Sequence, residues 1–212
     1  MVTMAVAMIL TLSLPAQTPA PADASQLVHK LGELPATIDP RIQSNTGERT
    51  PTEQQRQALY VQLRALGTAA IPALRRGLAD PDVRVRRGVA LYLSWEGGNY
   101  SKHAPVPLDL KPFLAALVVG LRDTDERMKA SSAQALEHVG PGAVIAVPDL
   151  LRLLRDPSEG LRNSACIGLA GIGPAASEAL PALRLALSDP SSDVRRFAQR
   201  AIDRIAPRHP QR

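Results

Sequence analysis

One cysteine, Cys166, stands in a chain of 212 residues, so an intrachain disulfide is excluded and packing alone must hold the fold. Four histidines, His29, His103, His138 and His209, are scattered, with no partner recurring at metal-ligand spacing. No metal site and no cofactor are expected from them. Aromatic side chains make up 3% of the sequence. The core must therefore come from Leu, Ala, Val and Ile, which suits closely packed helices better than a sheet and points to an all-α fold. A dense basic run with interleaved aromatics is also missing: the formal charge of +5 comes from 25 Lys and Arg against 20 Asp and Glu spread along the chain. Nucleic acid is disfavoured as a partner on that ground. What is plentiful is ordinary apolar content, 45% of residues, in a chain long enough to bury one core.

The N-terminal run MVTMAVAMILTLSL is uncharged and apolar, is broken by Pro15, and leads into the small, Pro-rich AQTPAPADAS. It is well short of the roughly 20 residues that span a bilayer. It reads as a secretory signal peptide over residues 1–24, with Ala22-Asp23-Ala24 as the A-x-A cleavage candidate before Ser25. The run carries no Lys or Arg, which leaves an uncleaved anchor or a misassigned start as alternatives. The expectation is an exported protein, periplasmic or extracellular, monomeric, with no membrane span after cleavage.

The rest of the chain repeats. Four segments align on an aspartate: Asp80 in DPDVRVRRGVALYL, Asp123 in DTDERMKASSAQAL, Asp156 in DPSEGLRNSACIGL and Asp189 in DPSSDVRRFAQRAI, at intervals of 43, 33 and 33 residues. Five positions on comes an apolar residue, then always a basic one: Arg86, Lys129, Arg162 or Arg195. The apolar spacing of three and four on either side of each Asp predicts two helices per unit. Pro72, Pro148 and Pro181 fall near the start of the first helix, where a missing N–H costs little. The Asp is expected to cap the second helix, with Pro at its first position. Gly97, Gly140 and Gly173 mark where that helix should end in a left-handed turn, and Pro141 and Pro174 forbid continuation. A degenerate unit lies upstream, with Thr50-Pro51 in place of Asp-Pro and Arg56, Leu63 and Gly67 at the later offsets. The segment SQLVHKLGEL before it predicts a capping helix, followed by a loop.

A Pro-bearing first helix, an Asp-Pro turn, an apolar-basic pair and a Gly-Pro exit together resemble HEAT repeats, most of all the short HEAT-like units of the phycobilin lyases. The resemblance implies a right-handed α-solenoid of stacked antiparallel helix pairs, a HEAT-like or armadillo-like superhelix, over residues 50–207. Residues 25–49 would form the capping helix and loop, an insertion would lie at about 94–107, and 208–212 would be a tail. It further implies that the second helices line the concave side, and that the Asp and basic residues (Asp80, Arg86, Asp123, Lys129, Asp156, Arg162, Asp189, Arg195) form a structural ladder between units. No pair of helices buries its apolar face alone, so such an array exposes a long surface suited to partners.

The leading functional reading is a non-catalytic protein-binding or scaffold module that holds a protein or peptide on its concave face. Candidate contact residues are Arg87, Arg196 and Arg200, expected on that face, and Trp95, Tyr100 and His103 in the insertion, where aromatics are otherwise scarce. Each has a plainer reading: the arginines as a solvated helix face, Trp95 as a plug where the spacing is disturbed. Cys166 takes a position held by Ala90 and Ala133 in sister units and is expected to be buried. The alternatives are a HEAT-like enzyme or accessory of the phycobilin lyase type, or a DNA-binding HEAT-like protein. No catalytic constellation supports an enzyme, and the paired His-Glu steps of the di-iron deoxyhypusine hydroxylases do not occur in the sequence.

Overall fold

The computed structural model describes residues 23–35, 51–97 and 108–207. Residues 1–22 of the segment that reads as a signal peptide, most of the loop expected after the capping helix, Tyr100, His103 and the tail at 208–212 lie outside the described residues. Ten α-helices make up the described chain: α1 (Ala24–Glu33), α2 (Pro51–Leu66), α3 (Ile71–Leu78), α4 (Val83–Gly97), α5 (Leu114–Gly120), α6 (Glu126–Val139), α7 (Val147–Leu153), α8 (Glu159–Ile172), α9 (Leu180–Ala186) and α10 (Ser192–Ile205). No strand occurs among the described residues. The fold is the expected all-α solenoid, with α3, α5, α7 and α9 as first helices and α4, α6, α8 and α10 stacked beside one another as second helices.

Short 3-10 turns, Gly67–Ala70, Gly140–Ala146 and Gly173–Ala179, link one unit to the next. Gly140 and Gly173 hold φ of +72° and +67°, a region closed to most side chains, and this is why the helices before them stop there. Leu74, Leu93, Leu117, Leu136, Leu150 and Leu169 are fully buried, and one aliphatic core runs the length of the array. The apolar stretch Glu159–Ala186 is long enough to cross a bilayer, yet it is the α8–α9 pair of this core, divided at Gly173.

The turn chemistry differs from expectation by two residues. Asp80, Asp123, Asp156 and Asp189 are not the caps. Each accepts a hydrogen bond, at 2.8–2.9 Å, from the backbone N–H two positions on, and that next residue precedes the helix. The cap position is held by Asp82, Asp125, Ser158 and Ser191; Asp82 accepts from Arg84 N, Asp125 from Met128 N, and Ser191 from Asp193 N and Val194 N. The Pro of Asp-Pro thus lies in the turn, before the first helical position. An aspartate bonded to its own chain two residues ahead sets up the turn, and a second polar residue then receives the helix's orphan N–H groups.

Helix α1 has Asp23 as its cap, a residue within the segment that reads as a signal peptide. It lies against α4 in the layer of second helices, at a crossing that only glycine permits. A Cβ on Gly88 would come within 2.9 Å of the Leu31 backbone, and one on Gly32 within 2.7 Å of the Val85 side chain.

Candidate binding cleft among the second helices

The ladder arginines do two jobs. Nη1 of Arg86 donates to the carbonyls of Asp80 and Pro81 at 2.8 and 2.9 Å, closing its own turn, while Nε and Nη2 reach Asp123 of the next unit at 2.8 and 3.3 Å. Arg162 repeats the arrangement on Asp156, Pro157 and Asp189. Arg195 clamps the carbonyls of Asp189 and Pro190 in the last described unit. Lys129 approaches Asp156 at 4.0 Å, since an ammonium has no fork with which to serve carbonyls and carboxylate together. The Arg162 hydrogen bond holds the Asp189 carboxyl below the usual carboxylate range. At Asp123, burial pulls upward, but the bonds from Arg86 and from the Asp125 N–H outweigh it and its pKa is lowered. A second rung runs beside the first: the hydroxyls of Ser158 and Ser191 donate to Glu126 and Glu159 of the preceding unit.

The positions expected to face the concave side are occupied within the fold. Arg87 pairs with Asp125 of the next unit and is three-quarters buried. Arg200 and Arg204 of α10 both reach Glu137 of α6, at 3.0 and 3.1 Å, over the intervening α8. Only a layer that curves inward lets side chains two units apart meet, so this face is concave. Gly171 makes room: a Cβ there would fall 2.2 Å from the Glu137 Cα. Arg196 is exposed and pairs with Asp193 on its own helix.

Trp95 is not on a loop. Helix α4 continues to Gly97, so the first four residues of the stretch assigned to the insertion are helical. Trp95 is half-buried, 5.1 Å from the Tyr60 ring, with the Arg64 guanidinium 5.4 Å over its face. Tyr60 also meets Tyr92 edge-on at 5.0 Å. Arg64 forms a two-pronged bond, at 3.0 and 2.5 Å, with Glu96, which is 2% exposed. This group joins α2 to α4, and burial pushes both tyrosine hydroxyls well above their ordinary pKa. Cys166 is buried, and burial pushes its thiol up to about 12, which makes it inert at neutral pH.

Between α1, α2, α4 and α6 lies a cleft of about 430 Å³. Four guanidiniums line it, from Arg56, Arg84, Arg87 and Arg127, over Leu31, Leu34, Leu91 and Ala130. Arg56 sits at the ladder offset of the degenerate unit, but its Nη2 donates to the Pro35 carbonyl at 2.7 Å. Of these residues sequence reasoning named only Arg87 as a site. The missed signal is the Gly32 and Gly88 pair, which lets α1 close against α4 and form one wall. No group of three or more His, Cys, Asp or Glu residues able to hold a metal occurs among the described residues.

Residues 113–206 match the family model for HEAT repeats. A comparison with curated proteins finds no match. Among solved structures, the chain is similar to the complex of CpcE and CpcF of phycocyanin lyase from Nostoc, with 23% identity, 80% of this chain and 70% of that one covered, and a TM-score of 0.54. It is also similar to a designed armadillo repeat protein in complex with the peptide (KR)4, with 18% identity, 86% and 81% covered, and a TM-score of 0.57. A computationally designed armadillo repeat protein for modular peptide recognition gives 18% identity, 85% and 99% covered, and a TM-score of 0.55. At these identities the likeness is one of fold. Residues 113–206 are HEAT repeats, and the chain is a HEAT-like repeat solenoid that carries the same two-helix plan upstream of them.

Proposed function

We propose that the chain is a non-catalytic binding module that holds a protein or peptide in the cleft between α1, α2, α4 and α6. The observation that carries this reading is the cleft itself, where four arginines and an apolar floor come together. Concave sites with an apolar lining and a few convergent polar groups are where ligands are held. Two of the similar folds are peptide-recognising designs, one of them bound to a basic peptide. The likeness in fold to the phycocyanin lyase complex keeps the enzyme-accessory reading as the alternative.

A photo-crosslinking residue at Ala130, on the cleft floor, is expected to label a partner that the same residue at Leu185, on the exposed side of α9, does not. Labelling from Leu185 alone would refute the reading. Export belongs to the same proposal and rests on the N-terminal run that reads as a signal peptide; cleavage before Ser25 removes the Asp23 cap and the first residue of α1. N-terminal sequencing of secreted protein should begin at Ser25, and an intact Met1 would remove that part.

A further inference from the structure

We infer that the outer face of the first-helix layer binds an anionic lipid surface, with arginines on headgroup phosphates and aliphatic side chains among the acyl chains. This face is separate from the cleft, which lies in the layer of second helices. Residues at one distance before each repeat aspartate hold the same place in their units. Four positions before it stand Arg76, Val119, Arg152 and Leu185, all exposed, so arginine and aliphatic side chains alternate across the array. Val119 and Leu185 are 71% and 78% exposed. Arg75 and Arg184 come one position before that row, and Arg122 and Arg155 three positions after it, exposed as well. Asp149 is the one acid within α3, α5, α7 and α9. It is buried and shared between Arg122 and Arg152, at 2.8 and 3.2 Å. Among the described residues no carboxylate pairs with Arg75, Arg76, Arg155 or Arg184; Nη2 of Arg76 donates to the Ser25 hydroxyl at 3.2 Å. The acids that flank these helices, Asp109, Glu178 and the turn aspartates, fall outside these rows. A charge that looks scattered along the sequence is gathered by the fold on this layer.

The bridge from Glu137 to Arg200 and Arg204 marks the second-helix side as concave, so the first-helix side is convex. A convex face has no groove for an extended peptide but meets a plane well. Val119 and Leu185 gain nothing from the phosphates of a nucleic acid. At a bilayer they leave water, while the arginines beside them lay their stems along the acyl boundary and reach back to the phosphates. Each basic residue near an anionic leaflet adds an attraction that fades within a Debye length.

The test is sedimentation of the full chain with vesicles of phosphatidylcholine, alone or with about one-third phosphatidylglycerol. The readout is the difference between the two, since the apolar N-terminal run favours both alike. Binding should be tighter on the anionic vesicles and weaken several-fold as salt rises from about 0.05 to about 0.2 M. Arg75→Gln, Arg184→Gln should weaken it roughly tenfold, and Val119→Ser, Leu185→Ser several-fold. All four side chains are exposed, so both variants should fold. Arg196→Gln, Arg204→Gln removes the same charge from the layer of second helices and should bind like the parent. Equal loss from the two arginine pairs would show attraction to net charge and overturn the face. Loss with Arg75 and Arg184 but none with Val119 and Leu185 would overturn the bilayer as ligand. Tighter binding to a DNA duplex of about 20 base pairs than to the anionic vesicles would replace it with nucleic acid. No preference for the anionic vesicles would overturn the inference outright.

Discussion

The two halves of this solenoid spend their arginines differently. From α5 to α10 the units follow a 33-residue interval. There Arg162 is fully engaged, clamping its own turn and the next aspartate, and Arg200 and Arg204 are tied to Glu137 across the layer. From α1 to α4 the register is broken. Arg56, at the ladder offset, turns to the Pro35 carbonyl, α1 lies against α4, and three aromatic rings take over the contact between α2 and α4. Arg86 and Arg87 of α4 still brace the next unit through Asp123 and Asp125, so the break in the pattern falls at the α1–α2 end, where Arg56 turns to the Pro35 carbonyl.

That contrast can be broken most severely at the regular end. Removing residues 177–212 strips α9 and α10 from α8 and uncovers Leu169 and Ile172, both fully buried. The expected outcome is aggregation on size-exclusion chromatography, because each unit completes the core of its neighbour. A soluble, fully helical monomer would show that the units are independent. Next in size, Gly171→Ala pushes a methyl group into the Glu137 backbone and should lower stability by about 3 kcal/mol in urea denaturation. Gly88→Ala meets the Leu31 backbone and should cost about 1–3 kcal/mol while loosening α1, so its larger effect is expected on ligand affinity.

The ladder gives a smaller, pH-dependent effect. Asp123 and Asp189 both have lowered folded-state pKa values, through the hydrogen bonds from Arg86 and Arg162. A lowered carboxyl pKa contributes stability above the unfolded value of about 3.9 and loses it as pH falls through the folded value. The melting temperature should therefore hold from neutral pH down to about 4 and fall below that. Arg162→Gln should be less stable than the parent at pH 7 by about 1–2 kcal/mol, with the gap narrowing in acid as Asp189 is protonated in both. A gap independent of pH would assign the loss to the carbonyl clamp instead. Smallest of all, Asp156→Ala removes a turn bond rather than a helix cap and should cost about 0.5–1 kcal/mol.

Much of the regular half could be read from the sequence because its determinants sit at fixed short offsets. The Asp-to-basic spacing, Pro148 and Pro181, and the Gly140 and Gly173 exits all act within one or two turns of chain. The misplaced cap had a signal as well: Asp82, Asp125, Ser158 and Ser191 recur two positions after the repeat aspartate, and all are of capping type. What a linear pattern does not carry is the cleft, which joins side chains from four helices only because α1 settles on α4. Likewise, no offset announces that Trp95 would stack on Tyr60 or that Glu137 would meet Arg200, since 63 residues separate the latter pair.

The bridge from Glu137 to Arg200 and Arg204 bears on elasticity. An array in which each unit touches only its neighbours frays from the end one unit at a time, like a zipper. A strap from α6 to α10 skips α8, so peeling the last unit away also breaks a contact two units in. The arginines of that strap are half exposed, so the added resistance is small and should fade as salt is raised.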